Sequence, residues 1–442
     1  MNILWLSTLN SNEIILSIDI FEELKRPERI TLHFGALKLK LNVVFKKDFK
    51  VKNTIGLPNN LSKVYTIPNN VQYECILTKR HIYLGPVIAY VALGRHKNLL
   101  NKVYVSYLPK FLEYNSIKGL IFVCAEQSVN VDSGILEGYY YQPNNKKPKQ
   151  AWKYGKFPLP NAIFNRSLMS QEKICSIQKV IGNKVFNSYL YNLDKLNTWN
   201  LLSRDDFLKK HLPYTEKFNG NEQVERLLSK YESIYLKPCD KSQGRGLMMV
   251  SKEGSGVSLV DNKGQKYYFA NYQELAIFLD KKIKRPYIIQ QAVHFKSDNR
   301  HIDFRVVLQR DGNKKWNCSG LVARIAFEGS IITNKRGRET SMLGREALNK
   351  IFSLNAETAV AIEEEMTQMV IKAVEKYEEQ GHHLGDLAAD IVLDSNLQIW
   401  LLELQLNYGV DARAGVLPDH FLKKIKTTPF QYAKTLAGWK EN

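Results

Sequence analysis

Residues 385–409 read GDLAADIVLDSNLQIWLLELQLNYG, and their alternation of apolar runs with single polar residues predicts two strands. The strands are expected over 387–393 and 398–405, joined by the polar turn Asp394-Ser395-Asn396. Pairing Asp390 opposite Glu403 puts the tip at Asn396-Leu397. Leu suits a two-residue turn poorly, so the loop is expected to be a residue or two longer. Glu403 and Gln405 share a face, because side chains alternate with period two. Three polar groups thus gather on strands otherwise built from Ala, Ile, Val, Leu and Trp. A buried carboxylate is costly unless it is paired or holds a metal, and two carboxylates with an amide suit Mg²⁺. A hairpin whose polar face meets water is the other reading of the same residues. Without a metal, the facing carboxylates are expected to repel each other.

Outward from this hairpin, the chain has 442 residues, enough for two or three domains. Lys and Arg number 63 against 44 Asp and Glu, a net charge of +19. That balance favours polyanionic partners such as nucleotides, acidic polymers or nucleic acid. The basic residues fall in short runs, among them Lys146-Lys147 and Lys209-Lys210, with no long basic arm. A solvated surface accounts for most of the excess, and nucleic-acid binding ranks low. The five cysteines are far apart and lack CxxC spacing, which points to a reducing compartment and no structural zinc. Glu13 and Asp19 stand where a signal peptide would be basic and then apolar. No apolar run has membrane-spanning length. A soluble, cytosolic protein is expected.

Residues 1–82 read as a β-rich domain, with strands near 14–18, 30–34, 37–45 and 71–77. Residues 83–168 read as a small α/β domain: a strand at 87–91, a helix over 103–114, a strand at 120–124, and an aromatic hairpin at Gly138-Tyr139-Tyr140-Tyr141. The basic loop after it, 144–156, reads as a solvated hairpin tip or, through its interleaved Tyr and Lys, as a surface for a nucleic-acid strand or glycan. Residues 169–442 form a longer α/β unit. Asn221 and Asn271 are candidate caps for helices over 222–230 and 272–279. Strands are expected at 233–237, 247–250, 287–293, 303–309 and 318–326. Ile362, Met366, Met369, Val370, Ala373, Val374 and Tyr377 mark one face of a long helix, with Gly381 placed to end it.

Lys237 ends a strand and precedes a loop bearing Gly244 and Gly246, where backbone N–H groups can approach phosphate oxygens. The loop is not a P-loop, because GxxxxGK[ST] is absent and it runs from strand to strand. In chain order come Lys195, Lys237 with its glycines, Gln290-Gln291, Arg305, Arg324, and finally Asp390, Glu403 and Gln405. Cations for phosphates, a polar hinge for a base and carboxylates for Mg²⁺ are what a nucleoside triphosphate needs.

That order resembles the ATP-grasp superfamily, and more closely the YheC/YheD family of endospore coat-associated proteins. The likeness covers nearly the whole chain. It rests on Leu84-Gly85-Pro86, the GYYY hairpin, Phe157-Pro158-Leu159-Pro160 running to Asn165-Arg166, the run YLKPCDKSQGRG, Asp303-Phe304-Arg305, Ala323-Arg324, Thr333-Asn334 and the final hairpin. The resemblance implies an α+β/α/β chain with a C-terminal ATP-grasp fold. It implies that Lys195 and Lys237 contact the phosphates of ATP and that Ser242, Gln243, Gly244, Arg245 and Gly246 fold over them. Gln290 and Gln291 would lie at the adenine hinge, Arg305 and Arg324 would face the γ-phosphate and acceptor, and Asp390, Glu403 and Gln405 would hold Mg²⁺. The implied activity joins an unidentified carboxylate to an amine in the mother cell, with coat proteins or acidic polymers as partners. The chain departs from the family at Gln405, where Asn is usual, and at Lys335–Arg338, where a Gly-Gly pair is usual. A nucleotide-binding coat protein without turnover is the alternative these departures raise.

Overall fold

A computed structural model describes residues 1–440 except 47, 48, 50, 93–95, 112, 144–147, 188–194, 240–243 and 411–415. Its strands form four sheets laid out along the chain. The first has seven strands, from Asn2–Leu6 to His81–Gly85. The second has six, centred on the parallel strands Val87–Ala92, Leu120–Asn130 and Ala162–Asn165. The wholly buried run Val87–Ala92 is what a strand covered on both faces requires. One apolar core runs through both sheets and takes Phe430, Tyr432 and Ala433 from the last helix, Asp419–Ala437. Lys434 on that helix is fully buried and donates to Glu74 Oε1 at 2.6 Å and to the Ser116 carbonyl at 3.1 Å. Sequence periodicity had not marked this helix.

The third sheet is antiparallel and includes Ser233–Pro238, Met248–Glu253 and Tyr287–Gln291. The fourth includes Arg300–Arg310, Trp316–Ala326, Asp386–Leu393 and Ile399–Gln405. Period-two alternation divides its faces. Phe304, Val306, Leu308, Leu387, Ala389 and Ile391 pack on one side against the helix Ala356–Glu378. That helix buries all seven of the apolar residues expected on its face. Asn355 caps its start by accepting from the Thr358 N–H at 2.8 Å, and Gly381 takes φ +84 just beyond its end.

Several local expectations change. Ile18 opens a short helix, Ile18–Glu23, instead of closing a strand. The helix expected over 103–114 is a run of short helical turns, Leu99–Lys102, Val103–Tyr107, Leu108–Phe111 and Tyr114–Ile117. Pro109 lacks the N–H a continuous helix needs. Asn271 caps its helix by accepting from the Glu274 N–H at 3.0 Å. Asn221 does not cap with its side chain, because its own backbone is already helical and its amide turns to Asp280.

Candidate active site

The third and fourth sheets enclose a cleft of about 720 Å³, lined also by Asn165, Arg166 and Asn187. One wall begins with Lys237 at the end of its strand. Its Nζ donates to Gln290 Oε1 at 2.6 Å, and Gln290 Nε2 donates to Thr215 Oγ1 at 2.7 Å. The neighbouring Gln291 accepts from the Tyr214 N–H at 3.2 Å. Burial, with Lys195 nearby, pushes the Lys237 ammonium down to about 8. The turn after this strand has Gly244 at φ +67 and Gly246 at φ +78, conformations in which a side chain is strained. A Cβ at Gly244 would also lie 2.9 Å from Ile332 Cγ2. Tyr287 Oη donates to the Gly246 carbonyl at 3.0 Å and fixes the end of the turn.

The opposite wall is the polar face of the fourth sheet. Register places Asp303 opposite Arg324, Arg305 opposite Asp390, and Asp390 opposite Glu403. Arg305 grips Asp390 with Nε at 2.9 Å and Nη2 at 3.0 Å, and its Nη1 reaches the Gly409 carbonyl at 2.6 Å. Arg324 holds Asp303 through two hydrogen bonds of 2.6 and 2.5 Å. Thr333 Oγ1 donates to Asp303 Oδ2 at 2.5 Å. Burial alone would raise the Asp390 carboxyl, but Arg324 and Arg305 outweigh it and hold it below the usual carboxylate range.

The facing carboxylates therefore do not stand in bare repulsion. Gln405 Nε2 donates to Asp390 Oδ2 at 2.9 Å and to Glu403 Oε2 at 3.1 Å, while its Oε1 accepts from Arg305 at 3.1 Å. One amide thus bridges both carboxylates. Asp390 is buried, and Glu403 and Gln405 face the cleft instead of open solvent. Among the described residues no group of three or more His, Cys, Asp or Glu could hold a metal. Mg²⁺ sites in phosphoryl-transfer proteins commonly use one or two carboxylates and complete the shell with phosphate and water. Two carboxylates fit that pattern, and the Gln405 oxygen joins them once its amide turns over, since here Nε2 faces the carboxylates and Oε1 faces Arg305.

Of the residues singled out from sequence, Lys195, Lys237, Gly244, Arg245, Gln290, Gln291, Arg305, Arg324, Asp390, Glu403 and Gln405 all line this cleft. Gly246 stands in the chain between the lining residues Arg245 and Leu247, and Ser242 and Gln243 lie outside the described residues. A family profile of YheC/D-like ATP-grasp proteins matches residues 182–436. The chain belongs to the YheC/D-like ATP-grasp family. Its C-terminal part therefore has the ATP-grasp fold, one that binds ATP. The chain is 21% identical to the endospore coat-associated protein YheD of Bacillus subtilis (strain 168), over 97% of each chain. It is 20% identical to YheC of the same organism over 55% of this chain and 67% of that one. Among solved structures it is similar to the VanG D-Ala:D-Ser ligase from Enterococcus faecalis, at TM-score 0.47 and 12% identity over 79% of this chain and 98% of that one. No described helix is long and apolar enough to cross a membrane.

Other residues at this ATP-grasp cleft carry no motif signal of their own. His301, Asp303 and Arg305 share the polar face of one strand, a period-two signal around Arg305 that pointed to Asp303. Burial pushes the His301 imidazole down to about 3, with His294 and Lys296 adding to the effect. Arg166 ties the second sheet to the fourth, donating to Asp386 Oδ2 at 2.5 Å and to Asn407 Oδ1 at 3.1 Å. Asp386 also accepts from Gln309 at 2.7 Å and Tyr408 at 2.5 Å. These partners lie too far apart in sequence for any local pattern to pair them.

Proposed function

We propose that this protein is a Mg²⁺-ATP-dependent ligase that activates a carboxylate as an acyl phosphate and joins it to an amine during endospore coat formation. One observation carries the reading: a single cleft has lysines and a glycine turn on one wall, and arginines and carboxylates on the other. Lys195 and Lys237 are assigned to the triphosphate, and the residues Ser242, Gln243, Gly244, Arg245 and Gly246 to its cover. Gln290 and Gln291 belong to the base end. Arg305 and Arg324 oppose the charge that develops on the transferring phosphoryl group. Asp390, Glu403 and the Gln405 oxygen would hold Mg²⁺, which supplies further neutralisation of that charge when bound. The coat role follows the names of the relatives. We also take 1–82, 83–168 and 169–442 as the units of the chain.

The second reading, a nucleotide-binding coat protein without turnover, is favoured by the amide bridge. Gln405 occupies both carboxylates that a metal would need. Two measurements on the full chain separate the readings. The first is a thermal shift with millimolar Mg²⁺-ATP; ligand at about a hundred times its Kd adds roughly 2.7 kcal/mol of stability. The second is ADP release against a panel of acids, amino acids and acidic peptides. Release with any acid–amine pair supports the ligase. A shift without release across the panel supports the second reading, and no shift sinks both.

A further inference from the structure

The geometry points to a second substrate bearing two or more carboxylates, recognised by Lys335, Arg336 and Asn165. That such a ligand is a substrate rests on the ligase reading, whereas its binding depends on the cleft alone. Nine Lys and Arg side chains line the cleft against three carboxylates. Much of that excess already has a purpose. Arg305 and Arg324 face Asp390 and Asp303, Arg166 faces Asp386, and Lys195 and Lys237 stand on the triphosphate wall. Lys335 and Arg336 lie outside all of these groupings.

They sit on a turn that is locked from within. Asn334 Oδ1 accepts from the Arg336 N–H at 2.9 Å, and the Asn334 carbonyl accepts from the N–H groups of Gly337 and Arg338 at 3.0 and 2.9 Å. A Cβ at Gly337 would lie 2.3 Å from the Ile332 carbonyl oxygen, so the turn closes only around glycine. Lys335 and Arg336 are thereby held, exposed, where they line the cleft. Among the described residues no carboxylate pairs with either. Cations carried on a fixed backbone in a concave site attract anions, at the cost of ordering two long side chains.

A second observation comes from a different sheet. Asn165 is 1% exposed and lines the same cleft. Its Oδ1 accepts from the Ser167 N–H at 3.0 Å and from Ser167 Oγ at 2.7 Å, which sets the orientation of the amide. The remaining group, Nδ2, is buried with no hydrogen-bond partner. A buried donor without an acceptor is unfavourable, and a ligand carboxylate or carbonyl supplies one. A neutral ligand would satisfy Asn165 and leave both cations of the turn unmatched. A monocarboxylic acid would balance only one of the two positive charges on Lys335 and Arg336.

The required chemistry is found in a free dicarboxylic amino acid and in the side chains of an acidic peptide. Calorimetric titration of the full chain with pentaglutamate, free glutamate and pentaglutamine tests the inference and separates these sources. Pentaglutamate or glutamate is expected to bind, more weakly as salt rises, and pentaglutamine is expected not to. Tighter binding of the pentapeptide identifies a peptide, and equal binding a small acid. The K335A/R336A double variant should lower the affinity about three- to tenfold. Asn165→Asp keeps the acceptor for Ser167 and replaces the Nδ2 donor with anionic oxygen, so it should lower the affinity as well. Failure of both acidic ligands to bind better than pentaglutamine would overturn the proposal. So would an unchanged affinity in K335A/R336A, a surface variant that should fold normally. Mg²⁺-ATP thermal shifts, run alongside, judge the nucleotide reading separately: acidic-ligand binding without a nucleotide shift leaves this inference standing and removes that one.

Discussion

Arg324 donates both arms of its guanidinium to Asp303, at 2.6 and 2.5 Å, and its Nη2 lies 3.1 Å from Asp390 Oδ2. One buried cation therefore joins a carboxylate on the strand of Arg305 to one on the neighbouring strand. Asp390 is shared in turn between Arg324 and Arg305. Breaking such a buried pair by removing one partner typically costs about 3–5 kcal/mol, because the other charge is left uncompensated. Asp303→Leu and Arg324→Met should each destabilise on that scale. The double variant should lose much less than their sum, since it leaves fewer unmatched charges. Denaturant unfolding of the three proteins checks this, and simple additivity would contradict the network.

Acid should expose the same network. The Asp390 carboxyl is held below its ordinary value in the folded chain, so its contribution to stability is full above about pH 4, the unfolded range. It is lost as pH falls through the lowered folded value. Asp390→Asn is therefore expected to be less stable at pH 7, and to show a shallower decline of Tm between pH 4 and pH 2 than the parent chain. Parallel declines would place the acid-sensitive group elsewhere.

Lys237 should make nucleotide binding sensitive to mild alkali. Burial, with Lys195 nearby, pushes its ammonium down to about 8. A triphosphate would favour the charged form, so binding near pH 8 should take up protons, and affinity should weaken from pH 7 to pH 9. Without ligand the sign reverses: this group adds stability as pH rises from about 8 toward the unfolded lysine value near 10.4. Calorimetry of Mg²⁺-ATP binding in buffers of different ionisation enthalpy reads the proton uptake. Lys237→Arg should abolish it, and an equal uptake in that variant would assign the proton to another group.

The amide bridge makes Gln405 the most informative position for the metal. Asn is one methylene shorter and cannot span Asp390 and Glu403 as Gln405 does. Gln405→Asn should release Glu403 Oε2 and remove one of the donors on Asp390 Oδ2, and so strengthen the Mg²⁺ dependence of nucleotide binding. Titration of Mg²⁺ at fixed ATP, followed by thermal shift, reports this directly. An unchanged Mg²⁺ midpoint, together with an unchanged midpoint in Glu403→Gln, would mean that the hairpin is not a metal site.

Gly244 tests the turn on the other wall. Gly244→Ala puts a Cβ 2.9 Å from Ile332 Cγ2 in a backbone conformation of φ +67. Strain of this kind costs about 1–3 kcal/mol, and relief by moving the turn should weaken ATP binding. Equal nucleotide affinity and equal stability would show that the turn tolerates a side chain and does not approach the ligand.

How much of this the residues alone carried can be judged from the hairpin. The opposition of Asp390 and Glu403 was legible, because the polar residues had few other places to go on such apolar strands. The long helix was equally legible from its seven-residue apolar face. The turn came out longer than two residues, with Leu397 at φ +61 inside it and Asp394 Oδ1 accepting from the N–H groups of Asn396 and Gln398. What period-two counting could not supply was the phase of the second strand. Ile399 and Leu401 face the helix core, and strict alternation from them would carry Glu403 and Gln405 into that core as well. The register slips between Asp390 and Ile391, leaving Leu402 unpaired as a bulge, and the parity resets. Leu404 then joins the core while Glu403 and Gln405 turn to the cleft. Local sequence fixed which residues were polar, apolar or helix-forming, since those preferences depend on each side chain and its neighbours. The partners of those polar groups were decided only when separate sheets packed together. Arg305 and Arg324 meet Asp390 across strands 66 or more residues distant, and at such separations it is burial and cross-strand register, not spacing in the chain, that select who meets whom.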